Sequence, residues 1–166
     1  MSGHVGIRPA ARKDIDAMGA LWAEFMDFHA ERDPWFKRSE SGHTRFAEFI
    51  AERLEDERSI VLVAETDGEV VGHALAMIAK RLPVFEPEDY AQIMDVAVAG
   101  KHRRSGIGMR LVQEMMRLFR QRGIRRVEVT AAVTNEVATA FWRKMGFVPY
   151  TERSWLSIGE PDPVKG

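Results

Sequence analysis

A glycine-rich, basic turn joins an apolar stretch to a helical pattern, and this junction constrains the fold of the chain more than any other feature of the sequence. The turn runs from Arg103 to Gly108 and reads Arg-Arg-Ser-Gly-Ile-Gly. Residues 93–98 before it are mostly apolar, and residues 109–122 after it repeat apolar side chains at the spacing of one helix face. The sequence therefore predicts a strand, a tight turn and a helix in direct succession.

This glycine turn (residues 103–108) has the composition of an anion-binding site. Gly106 and Gly108 lack a Cβ, so a ligand can approach the backbone closely. The amides of a helix's first turn have no partner within the helix, and together with the helix dipole they favour a negative charge. We expect the turn and the helical residue after it to bind a phosphate or pyrophosphate group. These residues are Arg103, Arg104, Ser105, Gly106, Ile107, Gly108 and Met109.

Two common phosphate-binding motifs do not match the turn. A Walker loop has Lys and then Ser or Thr after its last glycine, whereas Met109 and Arg110 follow Gly108. The dinucleotide-binding fingerprint has a third glycine at the position of Leu111. The sequence therefore disfavours both of these nucleotide-binding classes.

The remaining pattern, Arg103 with Gly106 and Gly108, resembles the acyl-coenzyme A signature of the GCN5-related N-acetyltransferase (GNAT) family. A second segment downstream resembles the family's later helix and its Gly-Phe exit into a strand. The resemblance covers residues 92–150, although the family usually has Pro at the position of Gly100 and an aromatic residue at that of His102. The residues of the second segment are Asn135, Ala138, Phe141, Trp142, Lys144, Gly146 and Phe147.

The resemblance implies an acetyl-coenzyme A site that extends beyond the glycine turn. Backbone groups of the preceding strand would bind the pantetheine arm and the thioester oxygen, and the later helix would complete the site. Asn135 resembles a coenzyme-contacting residue of the family and would equally serve as an ordinary helix N-cap. The implied contacts are Val96, Ala97 and Val98 in the strand and Asn135, Ala138, Phe141 and Trp142 in the helix.

The departing thiolate needs a proton, and the sequence leaves its source open. Many relatives have a Tyr acid at the position of Trp142, but an indole N–H donates a hydrogen bond without acting as an acid near neutral pH. Tyr150 is the candidate substitute and is also compatible with a structural role at the end of a strand. Protonation by solvent is the third alternative.

Asp95 is the candidate for the group that removes a proton from the attacking amine. It is a carboxylate in an otherwise apolar strand, where desolvation disfavours its charged form, and it precedes the strand residues that the resemblance assigns to pantetheine. The alternative is a structural carboxylate that pairs with a buried Arg or a backbone amide. His73, in the preceding strand, is the second candidate base. No spacing of histidines indicates a metal site, and the chain has no cysteine.

Composition indicates an ordinary globular protein of one domain. The chain has 166 residues, 45% of them hydrophobic and 30% charged, and no apolar run approaches the roughly 20 residues of a membrane span. We expect a single domain at residues 1–158, a tail at residues 159–166 and, since no signal peptide is visible, a cytoplasmic location. A homodimer is compatible with the sequence.

The net charge of −1 hides a strong asymmetry along the chain. Residues 1–100 are strongly acidic, whereas residues 101–126 contain 9 Lys and Arg against 1 acidic residue. A basic segment around the glycine turn suits the phosphates of coenzyme A, although several of its arginines are equally compatible with the solvated face of a helix. Nucleic-acid binding is the less favoured alternative, because the chain as a whole is near neutral and few aromatic residues accompany the cations.

The order of predicted elements is strand, two helices, three strands, helix, strand, helix and two closing strands. Together with the resemblance, it gives an α/β fold: a mixed, mostly antiparallel central sheet of about six to seven strands flanked by four helices. Asp67 and Gly68 predict a two-residue hairpin turn. The predicted strands include residues 7–10, 59–66, 69–78, 90–98, 126–133, 147–150 and 154–158.

The sequence says least about the acceptor. One candidate is the acidic group of Glu86, Glu88 and Asp89, which would either attract a cationic acceptor or form solvated surface. Another is the aromatic pair of Trp35 and Phe36, which would either line an acceptor pocket or, as we favour, pin a loop to the core. We expect an N-acetyltransferase that moves an acetyl group from acetyl-coenzyme A directly to a primary amine of a small molecule or peptide. The alternatives are a non-catalytic acyl-coenzyme A-binding module and an enzyme that acetylates a protein N-terminus or aminoacyl-tRNA.

Overall fold

The computed structural model describes residues 4–86 and 88–159, so residues 160–166 of the predicted tail lie outside the described part. The elements follow the predicted order up to the fourth helix. They are β1 (Gly6–Pro9), α1 (Ile15–Ala30), α2 (Gly42–Glu55), β2 (Ser59–Thr66), β3 (Glu69–Lys80), β4 (Asp89–Val98), α3 (Ile107–Gln121), β5 (Val127–Val129) and α4 (Glu136–Lys144).

The five strands form one sheet in the order β1-β2-β3-β4-β5, which confirms the mixed, mostly antiparallel architecture. Only the β4–β5 pair is parallel. The predicted β2–β3 hairpin is also confirmed: Asp67 and Gly68 have φ angles of 51° and 78°, as a type I′ turn requires.

The number of strands is lower than the predicted six to seven, because the described residues after α4 contain no strand. The two closing strands predicted at residues 147–150 and 154–158 were therefore wrong. Most of their apolar residues, among them Val148, Leu156 and Ile158, are exposed. Apolar alternation predicts a strand only where one face is buried, and here Phe147 packs against the core whereas the apolar side chains after it face solvent.

Helices cover both faces of the sheet. On one face, the buried Leu111, Met115 and Phe119 of α3 pack on the sheet, and α4 adds Trp142 beside them. On the other face, α1 and α2 form a second apolar cluster against β2 and β3. The three-layer arrangement confirms the predicted α/β class.

A β-bulge in β4 determines which layer each of its residues faces. Leu75 is opposite Asp95 and Ala76 is opposite Ile93, so Met94 has no partner on β3. Before the bulge, Ile93 points into the α3 layer; after it, Val96 does. The extra residue therefore turns Asp95 to the α1–α2 side, whereas strict alternation would have placed it with Ile93.

The sheet opens between β4 and β5. Their parallel pairing begins at Ala91 with Val127 and ends at Ile93 with Val129. Residues 94–98 therefore have β3 on one side and no strand on the other, so one edge of the β4 backbone faces the space before the glycine turn.

Candidate active site

The glycine turn has the backbone geometry of an anion-binding concavity. Arg104 and Gly106 have positive φ angles of 62° and 83°, and α3 begins directly after Gly106. The amides of residues 104–109 donate no hydrogen bond to any described residue. Consecutive amides near a left-handed residue and a helix N-terminus together attract anions. The backbone geometry is therefore suitable for the predicted anion site, which stays a prediction.

The two arginines of the turn have different surroundings. Arg103 bonds to the Glu24 carboxylate at 3.1 Å and to the Val98 carbonyl at 3.2 Å, and its guanidinium lies 5.2 Å from the Phe28 ring centroid. Arg104 has no ion-pair or hydrogen-bond partner among residues 4–86 and 88–159. Arg104 is therefore the cation available to a bound phosphate, whereas Arg103 attaches the turn to α1.

Gly100 explains one departure from the family pattern. Its amide donates a 2.9 Å hydrogen bond to Glu24 Oε1, and a Cβ at this position would lie 2.9 Å from the same oxygen. Proline has no N–H and would lose this bond. Gly100 therefore allows Glu24 of α1 to approach the backbone just before the glycine turn, a contact that proline could not make.

Most other cations of the basic segment already have partners. Arg117 pairs with Glu114, Arg125 with Glu88, and Lys101 with Glu69. Arg110 and Arg122 donate to backbone carbonyls at 2.7 and 2.8 Å. The three ion pairs reduce the positive charge that the segment offers to a long polyanion, so they weigh against the nucleic-acid hypothesis.

The two sequence segments that carry the family resemblance meet at Gly108. A Cβ at Gly108 would lie 3.7 Å from the Phe141 ring and 3.8 Å from Val98, so α3, α4 and β4 converge there. Asn135 is buried and its Oδ1 accepts a 3.1 Å hydrogen bond from the Ala138 amide. The N-cap role predicted for Asn135 is thereby confirmed.

Trp142, which stands where many relatives have the Tyr acid, and Tyr150, the candidate substitute, have different surroundings. Trp142 packs edge-on against Phe141 and Phe147, with centroid distances of 4.9 and 5.2 Å, on the core side of α4. Tyr150 is 78% exposed, and the Arg126 guanidinium lies 4.2 Å from its ring centroid. The Arg126 carbonyl bonds to Ala91 near the start of β4, so the structure does not bring Tyr150 to Asp95.

Asp95 and His73 form a buried pair. His73 Nε2 lies 3.0 Å from Asp95 Oδ2; the side chain of His73 is fully buried and that of Asp95 is 8% exposed. Asp95 Oδ1 and His73 Nδ1 are also buried and have no hydrogen-bond partner among the described residues. The sequence named both residues as separate candidates; the bulge in β4 is what places them together.

A cavity of about 600 Å³ opens beside this pair, and Asp95 lines it. Its wall is largely aromatic, and Trp22 stacks on Phe46 there with ring centroids 4.7 Å apart. Trp35 and Phe36 also line the cavity, and Trp35 is 89% exposed, so our expectation that they pin a loop to the core was wrong for Trp35. We call this space the aromatic cavity.

The acidic loop before β4 does not contribute to the aromatic cavity. Asp89 pairs with Arg58 at 3.1 Å and Glu88 with Arg125 at 3.2 Å. The first of these pairs lowers the pKa of Asp89, mainly through the hydrogen bond from Arg58. The interpretation of these residues as surface rather than as a cation site is the one that the structure favours.

His29 is a titratable group that the sequence reasoning missed. Its ring lies among Phe25, Phe28 and Phe36, with centroid distances of 4.3, 5.9 and 5.4 Å. Burial lowers the pKa of His29, and the negative charge of Asp95 opposes this in part. The spacing of Phe25 and His29, four residues apart on α1, is the signal that could have placed them together.

Two further findings concern the described residues as a whole. No group of three or more His, Cys, Asp or Glu side chains in residues 4–86 and 88–159 is arranged to hold a metal ion. Within the same ranges, no helix has the length and apolar character needed to cross a membrane.

Comparison with known proteins identifies relatives across most of the chain. The model of the acetyltransferase (GNAT) family matches residues 22–147. An N-alpha-acetyltransferase of Sulfurisphaera tokodaii is 31% identical over 60% of this chain and 62% of its own length. A putative [ribosomal protein bS18]-alanine N-acetyltransferase of Bacillus subtilis is 26% identical over 96% of this chain and 100% of its own. The matches to the first three curated relatives span 45% to 62% of those proteins' lengths.

Solved structures share the fold at low sequence identity. A tetramutant of the BH1408 protein from Bacillus halodurans superposes with a TM-score of 0.81 at 20% identity, over 92% of this chain and 99% of that one. A predicted acetyltransferase from Clostridium acetobutylicum, crystallised with acetyl-CoA, gives a TM-score of 0.73 at 16% identity, over 94% and 96%. The described arrangement of sheet and helices is therefore shared with these proteins.

Proposed function

This chain belongs to the GNAT family of acetyltransferases, and we propose that it moves an acetyl group from acetyl-coenzyme A directly to a primary amine of a small molecule or peptide. One observation carries the proposal: the unbonded amides of residues 104–109 and the open edge of β4 lead to a cavity that Asp95 lines. Such a transfer needs three parts: an anion site for the pyrophosphate, an extended backbone edge for the pantetheine arm, and a carboxylate in a cavity for the amine.

Coenzyme binding follows from the first two parts. The amides of the glycine turn and the unpaired Arg104 bind the pyrophosphate, where each charge-assisted hydrogen bond contributes about 1.5–3 kcal/mol. The pantetheine arm, which contains amides, lies along β4 at Val96, Ala97 and Val98 as an added strand would. Asn135, Ala138, Phe141 and Trp142 close the site from α4. The acetyl-CoA bound to the Clostridium acetobutylicum protein supports the choice of coenzyme.

Acceptor deprotonation follows from the third part. An alkyl amine near pKa 10 is mostly protonated at pH 7 and must lose a proton before it can attack. Asp95 Oδ1, buried and unpartnered, accepts that proton directly or through a water molecule, and His73 bonds to the other oxygen and fixes the carboxylate. The amine nitrogen then bonds to the thioester carbon and the carbon–sulfur bond breaks. One acetyl-coenzyme A and one ammonium give an acetamide, a free thiol and one proton.

Positioning contributes more to this reaction than proton transfer does. Holding amine and thioester in contact contributes about 7–11 kcal/mol, whereas a general base that accelerates a reaction 10²- to 10⁴-fold contributes about 3–5.5 kcal/mol. The thiolate takes its proton from solvent in this proposal, because Trp142 is not an acid and Tyr150 lies near the start of β4.

Three other functions remain as alternatives. The indole at position 142 favours a module that binds acyl-coenzyme A without turnover. The names of the Sulfurisphaera tokodaii and Bacillus subtilis relatives favour a protein N-terminus as the acceptor. The basic segment near the coenzyme site would favour aminoacyl-tRNA, although most of its cations are paired.

Two measurements test the proposal: calorimetric titration with acetyl-coenzyme A, and release of free thiol with small amines and peptides. We expect binding in the micromolar range and thiol release that depends on the amine. Arg104→Ala should weaken coenzyme binding, whereas Arg120→Ala, an exposed site on α3, should leave it unchanged. Binding without amine-dependent release would identify the non-catalytic module, and absence of binding would refute the proposed coenzyme site.

A further inference from the structure

The acidic and the basic residues that line the aromatic cavity lie at opposite ends of it. Among the described residues that line it, Asp95 is the only acidic one, and it lies in the buried part of the wall. Lys37, Arg38 and Arg45 line the same cavity and are exposed, so they lie on its solvent side. A ligand that fills this space therefore meets a carboxylate at one end and cations at the other.

The inner end requires a hydrogen-bond donor. Asp95 Oδ1 has no partner among the described residues although the side chain is more than nine-tenths buried. Leaving a buried charged oxygen unpaired costs free energy, and a donor on the ligand removes that cost. An ammonium or amine group on the ligand is the donor that also takes part in acetyl transfer.

The middle of the cavity is suited to an aromatic ring. Trp22 and Phe46 stack with an interplanar angle of 12°, and Phe25, Phe49 and Met94 complete the apolar wall. The volume of about 600 Å³ is within the range of pockets that enclose small organic ligands. Aromatic rings and the methionine sulfur both pack favourably against a ring.

The outer end has two cations without an acidic partner. Arg38 is neutralised by Asp27, to which it bonds at 2.8 and 3.1 Å. Lys37 has no ion-pair partner among the described residues, and Arg45 bonds only to the Ser41 hydroxyl, at 3.2 Å. These two charges attract an anionic group and repel a second ammonium.

We propose that the acceptor is a small aromatic primary amine whose far end carries an anionic group, with its ammonium at Asp95, its ring between the aromatic walls and its anion near Lys37 and Arg45. This inference rests on the proposed acetyl transfer. It distinguishes the chain from enzymes for polycationic acceptors, because an acceptor with several ammonium groups would place one of them beside Lys37 and Arg45.

A matched series of acceptors tests the inference. The compounds are 2-phenylethylamines that carry a carboxylate, a carboxamide or an aminomethyl group in the para position, with 6-aminohexanoate as the compound without a ring. We expect kcat/KM to fall about five-fold from carboxylate to carboxamide and further to the aminomethyl compound. We expect 6-aminohexanoate to be about ten-fold poorer than the aromatic carboxylate.

Variants identify the cations responsible. In the double variant Lys37→Gln, Arg45→Gln, the ratio of kcat/KM for carboxylate to carboxamide should fall to about one, whereas Arg120→Gln on the exposed face of α3 should retain the ratio. An equal preference in the unaltered protein, a best rate with the aminomethyl compound, or a ratio that survives in the double variant would each overturn the inference.

A binding measurement separates this inference from the proposed function. Calorimetric titration of the same series into the protein with excess coenzyme A, which has no acetyl group to transfer, needs no turnover. Tighter binding of the carboxylate than of the carboxamide supports the proposed charge preference of the cavity even where no thiol is released, and equal binding overturns the inference. Absence of thiol release with every amine contradicts the acetyltransferase proposal alone.

Discussion

Asp95 is the residue on which the proposed chemistry depends most. One of its carboxylate oxygens bonds to His73, and the other is buried without a partner among the described residues. A buried polar atom without a hydrogen-bond partner requires an explanation, and a donor on the bound acceptor supplies one. The proposed role of Asp95 as proton acceptor depends on this second oxygen.

Replacing this carboxylate tests its proposed catalytic role separately from its structural one. We expect Asp95→Asn to lower kcat by about 10²- to 10⁴-fold, the usual contribution of a general base, while the KM for acetyl-coenzyme A changes little. Steady-state kinetics with both substrates gives the two quantities, and circular dichroism verifies the fold. His73→Gln is the matched variant, since it changes the partner and keeps the carboxylate. A kcat for Asp95→Asn close to that of the unaltered protein would remove Asp95 from the mechanism.

Individual residues were predictable from the sequence where local chemistry or the family resemblance identifies them. The glycines of the turn, the N-cap Asn135 and the candidate base Asp95 could all be named in advance. The different surroundings of Arg103 and Arg104 could not be predicted, because they depend on Glu24, which is distant from Arg103 in the sequence and contacts it in the fold.

At the level of elements, α1 connects the two halves of the site. Its residues Trp22, Phe25 and Met26 line the aromatic cavity, and Glu24 and Phe28 of the same helix contact Arg103 of the glycine turn. A displacement of the turn on coenzyme binding would therefore act on the helix that lines the aromatic cavity.

A double-mutant cycle measures this connection. We expect Arg103→Ala and Glu24→Ala each to raise the KM for acetyl-coenzyme A about two- to five-fold, as loss of a half-exposed ion pair does. The double variant should be no worse than the poorer single variant, which corresponds to a coupling of about 0.5–1 kcal/mol. Arg117→Ala, which breaks an ion pair within α3, is the control. Strictly additive effects would show that the ion pair does not join the turn to α1.

The order of elements was largely predictable, because hydrophobic period and turn residues are local signals. Ser59–Thr66 was predicted with its observed bounds, and the hairpin turn at Asp67 and Gly68 lies where it was predicted. The bulge at Met94 was not predictable, since it appears only when β4 is paired with β3. The closing strands failed for a related reason: local alternation does not reveal whether another layer covers the segment.

On the scale of the whole molecule, a partly buried ion pair joins the first strand to the start of the first helix. Arg8 of β1 bonds to both oxygens of Asp14, which stands directly before α1, at 2.7 and 2.9 Å. The Asp14 side chain is 4% exposed and also accepts a hydrogen bond from the Ala11 amide. The hydrogen bonds from Arg8 lower the pKa of Asp14, although burial opposes them.

Because of this pair, we expect the free energy of unfolding to decrease as the pH falls into the acid range. Because the pKa of Asp14 is lower in the folded state, its stabilising contribution is complete above the unfolded value of about 3.9 and is lost as pH falls below it. We expect Asp14→Asn to lower the free energy of unfolding at pH 7 by about 1.5–3 kcal/mol and to flatten its decline in acid. Urea titrations from pH 7 to pH 3 measure both effects.

The exposed pair of Asp27 and Arg38 gives the control for that experiment. The hydrogen bond from Arg38 likewise lowers the pKa of Asp27, but solvent screens the charge. Asp27→Asn should therefore change the free energy of unfolding little at any pH. An equally large effect of both variants would show that burial of Asp14 does not matter.

The gap between β4 and β5 leaves backbone donors and acceptors of residues 94–98 without a strand to pair with on one side. Such an edge is able to pair with a strand of another polypeptide, and exposed edges promote self-association. If pantetheine binds along this edge as we propose, it covers these groups, so we expect acetyl-coenzyme A to lower the tendency of the protein to aggregate.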